Sequence, residues 1–155
     1  MLNEFINKLT DIERKRIQSS RASITSFLSS EYDRLNKLYS PLQCVGSEIK
    51  FYEYYIRKRL VSDCEMNAMV LHEIGHLVNL PPDEAGTGKY NTNTLEEELY
   101  ADYYSVYCGY KEPLLSAIKK MCSMRINEFE TEHIKIRINE LASKNTKVRL
   151  NLKHN

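Results

Sequence analysis

Apolar residues recur at helical spacing over most of the chain, and this pattern predicts a mostly helical domain. The longest apolar run covers residues 68–80. It follows Ser62, a favourable N-cap residue, and ends before Pro81, which cannot continue a helix. We therefore predict a buried helix over residues 63–79.

Four further helical segments follow from the same spacing. Residues 1–41 form an N-terminal helical segment of one or two helices, which we interpret as scaffold packing, with a prosegment or docking arm as the alternative. A capping box that begins at Thr94 starts the next helix, and Pro113 starts another. A last helix is predicted over residues 126–143.

Residues 42–61 break the helical pattern. They are rich in aromatic and β-branched residues and include the turn Gly46-Ser47, which is typical of one or two antiparallel strands. The predicted fold class is therefore α+β: a mostly helical domain with a small antiparallel sheet. We expect one domain over residues 1–155, with a core over 42–143 and a tail over 144–155.

Composition and charge indicate which classes of binding partner to expect. The net charge is +1, and basic residues are interleaved with acidic ones, so we expect no nucleic-acid partner. No apolar stretch of about 18 residues is present, so we expect no membrane span. Residues 1–8 lack the apolar core of a signal peptide, and the cytoplasm is the expected compartment.

The predicted helix over 63–79 contains the sequence His-Glu-Ile-Gly-His at residues 72–76. Four helical residues advance about 400°, so His72 and His76 lie one turn apart on nearly one face and can bind one ion. Glu73 follows the first histidine and can take a proton from metal-bound water. A bare H-E-x-x-H also occurs by accident, in roughly one chain in a few hundred, so a third ligand decides its meaning.

Glu98 is the candidate for that third ligand. Three consecutive glutamates begin the helix that Thr94 caps, and a helix start of this kind is ordinarily solvated. Glu98, however, shares a stripe with Leu95, Ala101 and Asp102, so it is the one able to point inward. The cysteines, by contrast, are widely spaced, and we interpret them mostly as buried thiols. They are Cys44, Cys64, Cys108 and Cys122.

The two motifs together resemble those of a known family. H-E-I-G-H at residues 72–76, followed by E-L-Y-A-D at residues 98–102, is similar to the H-E-x-x-H and E-x-x-A-D pair of gluzincin metallopeptidases. The resemblance is closest to the M48 type, which includes the HtpX and Ste24 proteases, and covers roughly residues 63–120. Peptidases of the ImmA/IrrE type are a second relative. Metzincins are excluded, because they need histidine at the position of Pro82.

The resemblance implies a zincin-like fold, with two metal-bearing helices and one Zn²⁺ ion. His72, His76 and Glu98 would bind the ion and leave a fourth position for water, and Glu73 would act as general base in peptide-bond hydrolysis. Asp102 would accept the free N–H of a ligand histidine, most simply His72. The substrate would be a peptide or protein.

A second electrophile for the oxyanion is left open. The family has a C-terminal H-P…R-I segment, and His133 followed by Arg137 resembles it without the proline. This resemblance makes His133 a candidate catalytic residue. Arg137, Tyr103 and Tyr104 are the other candidates, and buried structural tyrosine is the alternative for the last two.

Other functions are compatible with the same residues. The main alternative is a catalytically silent zinc-binding regulatory or interaction protein of ImmA/IrrE-like or M48-like descent, although an intact Glu73 argues against it. Another is a metallohydrolase that acts on a non-peptide amide. Self-inhibition by the C-terminus is a further hypothesis, because residues 147–154 alternate like a strand and could pair with the edge strand, which would bring His154 near the metal. A frayed C-terminus is the plainer alternative.

Overall fold

The computed structural model describes residues 11, 23–27, 42–45, 48–52, 55, 58–79, 94–124 and 132–143. The predicted loop over 81–93, most of the N-terminal segment and the tail over 144–155 lie outside these residues. The proposed self-inhibition through His154 therefore lies outside them too. Among the helices described, none is both long enough and apolar enough to cross a lipid bilayer.

Four helices account for most of the described chain. They are α1 (Asp63–Asn79), α2 (Leu95–Tyr107), α3 (Lys111–Ser123) and α4 (Glu132–Ala142). The bounds of α1 agree with the predicted helix over 63–79, and the capping box at Thr94 is present. Of the last helix, predicted over 126–143, the structure describes α4 from Glu132 to Ala142, and residues 125–131 lie outside the described part.

Three strands form a mixed sheet in the order β1-β3-β2. Their bounds are β1 (Ser23–Phe27), β2 (Leu42–Val45) and β3 (Glu48–Tyr52). β2 pairs antiparallel with β3, whereas β1 pairs parallel with it, Ile24 standing opposite Ile49.

The predicted fold class, α+β with a small antiparallel sheet over 42–61, is wrong. The longer described stretches, 58–79, 94–124 and 132–143, contain four helices and no strand. The sheet itself is not antiparallel, since β1 joins it in parallel from the segment predicted to be helical. The reason is that five residues, SITSF, are too few for apolar spacing to distinguish a helix from a strand.

Helix α1 lies at the centre of the core and packs chiefly against α2 and then α3. Its inner face is apolar and buried, which accounts for its position. The fully enclosed residues of this face are Ala68, Val70, Leu71 and Ile74.

Gly75 sets the distance between α1 and α2. A Cβ atom built on Gly75 would lie 2.8 Å from the Cα of Ala101 and 3.0 Å from the Cβ of Tyr104. Such a contact is closer than real Cβ atoms allow, so the two backbones pass each other only because residue 75 has no side chain. This close approach brings the histidine face of α1 against the Glu98 face of α2.

Candidate metal centre

Two helices bring three metal-ligating side chains to one point. His72 and His76 come from α1, and Glu98 comes from the first turn of α2. The two Nε2 atoms are 3.1 Å apart. The Glu98 carboxylate lies across them, with Oε2 3.3 Å from Nε2 of His72 and Oε1 3.4 Å from Nε2 of His76. These three residues could hold a metal ion.

The spacing of these atoms suits a tetrahedral ion. Ligand atoms that lie about 2.0–2.1 Å from a tetrahedral zinc ion are about 3.3 Å from one another. The three measured separations, 3.1, 3.3 and 3.4 Å, fall around that value. Two imidazoles and one carboxylate are also ligands that zinc accepts in catalytic sites, where the fourth position is left to water or substrate.

Asp102 orients the first histidine. Its Oδ1 atom lies 2.8 Å from Nδ1 of His72, and its side chain is buried. A carboxylate can only accept a hydrogen bond, so Nδ1 of His72 donates. The neutral ring then carries its lone pair on Nε2, the atom that faces His76 and Glu98. A carboxylate behind a histidine in this way is typical of metal-binding imidazoles.

Arg137 of α4 joins the two carboxylates of α2. Its Nε donates to Oδ2 of Asp102 at 2.7 Å and its Nη2 to Oδ1 at 2.8 Å. Its Nη1 lies 2.8 Å from Oε2 of Glu98. The guanidinium is buried, and each of its three nitrogens faces a carboxylate oxygen.

Charge interactions shift the pKa values of these groups in the directions that pairing demands. Burial opposes the charged form of His72, but hydrogen bonds to Asp102 and Glu98 outweigh it and raise the pKa of His72 to about 10. Burial likewise opposes the charged form of Glu98, yet the two histidines hold its pKa well below the usual range. The pKa of Asp102 is lowered against burial by the Arg137 charge and the His72 hydrogen bond.

The formal charges leave room for a divalent cation. Glu73, Glu98 and Asp102 contribute three carboxylates, and Arg137 offsets one of them. In the neutral forms that metal binding requires, the two imidazoles add lone pairs but no charge. A buried surplus of negative charge is costly unless a cation or bound protons balance it, and a divalent ion at His72, His76 and Glu98 would balance it.

Glu73 is next to His72 in the chain but is not one of the three candidate ligands. It is half-buried. Among the described residues no hydrogen bond or ion pair engages its carboxylate, although its charge acts on Arg137. Within the described part of the chain it is therefore the acidic group of the site whose oxygens are left to a water molecule or a substrate.

The candidates for the second electrophile lie in different surroundings. The three nitrogens of Arg137 are all engaged by carboxylates. The hydroxyl of Tyr103 donates to Glu140 at 3.3 Å, and Tyr104 is buried in the core. His133 is half-buried in the first turn of α4, one turn before Arg137, and no hydrogen bond or ion pair within the described part of the chain links it to the metal cluster.

The cysteines whose side chains the structure describes take no part in this cluster. Cys64 is exposed, which corrects the prediction of a buried thiol at that position, and Cys108 and Cys122 are half-buried. Cys64 is exposed because it lies on the outward face of the first turn of α1, whereas Glu65 and Met66 of the next positions are buried. The side chain of Cys44 lies outside the described part.

Sequence reasoning underestimated Arg137, which it named only as one possible oxyanion donor. A usable signal was present: Arg137 is the one charged position on the buried stripe of α4, between Ile134 and Leu141. A charged residue on such a stripe needs an oppositely charged partner.

Comparisons with protein-family models, curated proteins and solved structures found no match for this chain. The resemblance of residues 72–76 and 98–102 to the gluzincin motifs therefore remains a prediction.

Proposed function

We propose that this protein is a zinc-dependent metallopeptidase. The observation that carries the proposal is the convergence of His72, His76 and Glu98 at separations suited to zinc. Glu73 is next to His72 in the chain, and its charge acts on Arg137 of the same site. A structural site would need no free carboxylate, because such sites are usually closed by four protein ligands. Here the described residues supply three ligands and one general base.

Each residue has a separate part in hydrolysis. When zinc is bound, it acts as a Lewis acid and lowers the pKa of a water ligand to about 7. Glu73 takes a proton from the water that attacks the peptide carbonyl, and it returns the proton to the leaving amine. The C–N bond breaks as that proton arrives, so no further reactant is needed. Asp102 keeps Nε2 of His72 directed at the ion.

His133 is the residue we propose for the oxyanion. Arg137, Tyr103 and Tyr104 are held by other contacts, whereas His133 lies at the start of the helix that reaches the site. An imidazole N–H would donate a hydrogen bond to the carbonyl oxygen as negative charge develops on it.

The test is a pair of glutamate variants. Glu73→Gln should retain one zinc ion per chain, measured by mass spectrometry, and lose about 10²–10⁴-fold in the cleavage of an unfolded protein, because the general base is gone. Glu96→Gln is the matched control, an exposed glutamate on the helix of the third ligand, and should cleave at the wild-type rate.

The outcomes separate this function from its alternatives. If the wild type binds zinc but cleaves no unfolded protein, the zinc-binding interaction protein becomes the better explanation. If it cleaves small amides but no peptide, it is a hydrolase of another class. If the wild type binds no zinc, all three zinc-dependent functions are excluded.

A further inference from the structure

We infer that Arg137 is a positioning residue whose single guanidinium group fixes both the third metal ligand and the orientation of the first. The inference rests on the proposed zinc site and adds a residue to it. It assigns to α4, which supplies no ligand, control over the geometry of ligands on α1 and α2.

The guanidinium contacts two carboxylates with different tasks. Its Nε and Nη2 atoms bind both oxygens of Asp102, at 2.7 and 2.8 Å. Its remaining nitrogen, Nη1, binds Oε2 of Glu98 at 2.8 Å. Because the guanidinium is planar and rigid, these three contacts fix the two carboxylates relative to each other.

Each carboxylate passes this constraint to the metal-ligating atoms. Asp102 accepts the Nδ1 hydrogen of His72 and so sets the direction of Nε2. Glu98 is itself a ligand, and its Oε2 atom is shared between Arg137 and His72. Without the guanidinium, two like charges one helical turn apart would repel each other, and Glu98, at the edge of the site, could turn towards solvent.

The backbone of α4 is well placed to hold such a residue. Ile134 and Leu141, on either side of Arg137, are buried in a cluster with Leu114 and Ile118 of α3. Arg137 is thus anchored by apolar packing on both sides, and its side chain has little freedom. The positive charge of Arg137 also repels zinc, which lowers zinc affinity, whereas correct positioning of the ligands raises it. We expect the effect of positioning to be the larger.

Three variants test the assignment. Arg137→Met removes the charge and all three contacts, whereas Arg137→Lys keeps a charge but replaces the planar fork with a single point donor. Lys135→Met is the matched control, a strongly exposed cation two residues away on the same helix. Zinc affinity would be measured by competition with a chromophoric chelator, and ligand geometry by the visible absorption of the cobalt-loaded proteins.

We expect Arg137→Met to weaken zinc binding by about 10–100-fold, the usual effect of losing a partner behind the ligands. Arg137→Lys should fall between Arg137→Met and the wild type, and both should change the cobalt absorption bands. Lys135→Met should match the wild type. Should Arg137→Met fail to fold, as circular dichroism would show, Arg137→Lys decides the question, because it keeps the buried charge balanced.

Unchanged or tighter zinc binding in folded Arg137 variants, with wild-type cobalt bands, would overturn the inference and leave the proposed zinc site intact. Lower stability with unaltered cobalt bands would also overturn it, because the residue would then be only structural. If the wild type itself binds neither metal, the zinc site and this inference fall together.

Discussion

Helix α1 contributes to two buried polar clusters, which differ in their balance of hydrogen-bond donors and acceptors. The first is centred on Glu65. Its carboxylate accepts hydrogen bonds from the backbone N–H of Ser62 at 2.7 Å, the hydroxyl of Ser116 at 2.6 Å and the ammonium group of Lys120 at 2.7 Å. Every neighbour is a donor, so this cluster is complete and joins α1 to α3.

The second cluster, two helical turns further on, has the opposite character. The Nε2 atoms of His72 and His76 and the carboxylate of Glu98 are all acceptors in their metal-binding forms, and they face one another at 3.1–3.4 Å. Both clusters bury a carboxylate beside a cationic side chain. A surplus of acceptors, and not burial of charge, is therefore what indicates a cation site.

The largest expected difference between the clusters is in zinc binding. Glu98→Gln replaces a charged ligand with a weak neutral one. Loss of a partner behind the ligands weakens metal binding by about 10–100-fold, and we expect the loss of a ligand to weaken zinc binding by more than that. Glu65→Gln, the matched change in the first cluster, should bind zinc as the wild type does. Equal zinc affinity in the two variants, measured by chelator competition, would remove the distinction between the clusters.

Rising pH should weaken only the second cluster in zinc-free protein. The pKa of His72 is raised from 6.5 to about 10 in the folded state, so its contribution to the free energy of unfolding is complete below pH 6.5 and is lost as pH rises towards 10. The pKa of Glu65 is lowered from 4.5, so its contribution stays constant over that range.

Urea denaturation at several pH values would measure this loss of stability. Zinc-saturated protein, in which His72 is already deprotonated, should not show it, and His72→Gln should lack the same component. Identical pH dependence in the wild type and His72→Gln would count against the charged pairing of His72.

Gly75→Ala tests whether the close approach of α1 and α2 builds the second cluster. The added methyl would lie 2.8 Å from the Cα of Ala101, so the helices must separate, at a cost of about 1–3 kcal/mol in the free energy of unfolding. We expect weaker zinc binding as well, because Glu98 moves away from the histidines.

Gly109→Ala is the control for that variant. Gly109 has a positive φ of 92°, and a Cβ there meets nothing within 4 Å, so alanine costs stability through backbone strain, about 1 kcal/mol. Zinc affinity should not change. Loss of zinc in Gly109→Ala, or wild-type zinc affinity in Gly75→Ala, would show that helix separation is not what matters.

The smallest expected effect is in the first cluster. Lys120→Met removes the ammonium group that Glu65 binds, but Lys120 is substantially exposed, so we expect a loss of about 1 kcal/mol in the free energy of unfolding. Lys119→Met, an exposed neighbour, should cost less. Neither should alter zinc binding, and a change in zinc affinity would mean that the clusters are coupled through α1.

The sequence predicted those contacts of the candidate site that depend on local spacing. His72 and His76 share a helix face, and Glu98 lies on the inward stripe of its own helix, so both follow from a period of 3.6 residues. The pairing of Arg137 with Asp102 joins positions 35 residues apart, and no local pattern contains it. That contact depends on the packing of α4 against α2, which is a tertiary contact.

The fold was predicted less well for the same reason. Helix α1 is long, strongly apolar and bounded by Ser62 and Pro81, so its first and last residues could be predicted from the sequence. Strand β1 pairs with β3 across about 25 residues of chain, and Ile24 and Phe27 fit a helical spacing as well as a strand. The role of Gly75 could not be predicted either, because it allows two helices to approach each other and this approach is not encoded in a local pattern.

X-ray absorption spectroscopy of the zinc-loaded protein tests the central claim most directly, because it reports the atoms bound to the ion. We predict only nitrogen and oxygen neighbours, at about 2.0–2.1 Å, with the outer scattering typical of two imidazoles. A sulfur neighbour at about 2.3 Å, or a shell without imidazole, would contradict the assignment of His72, His76 and Glu98.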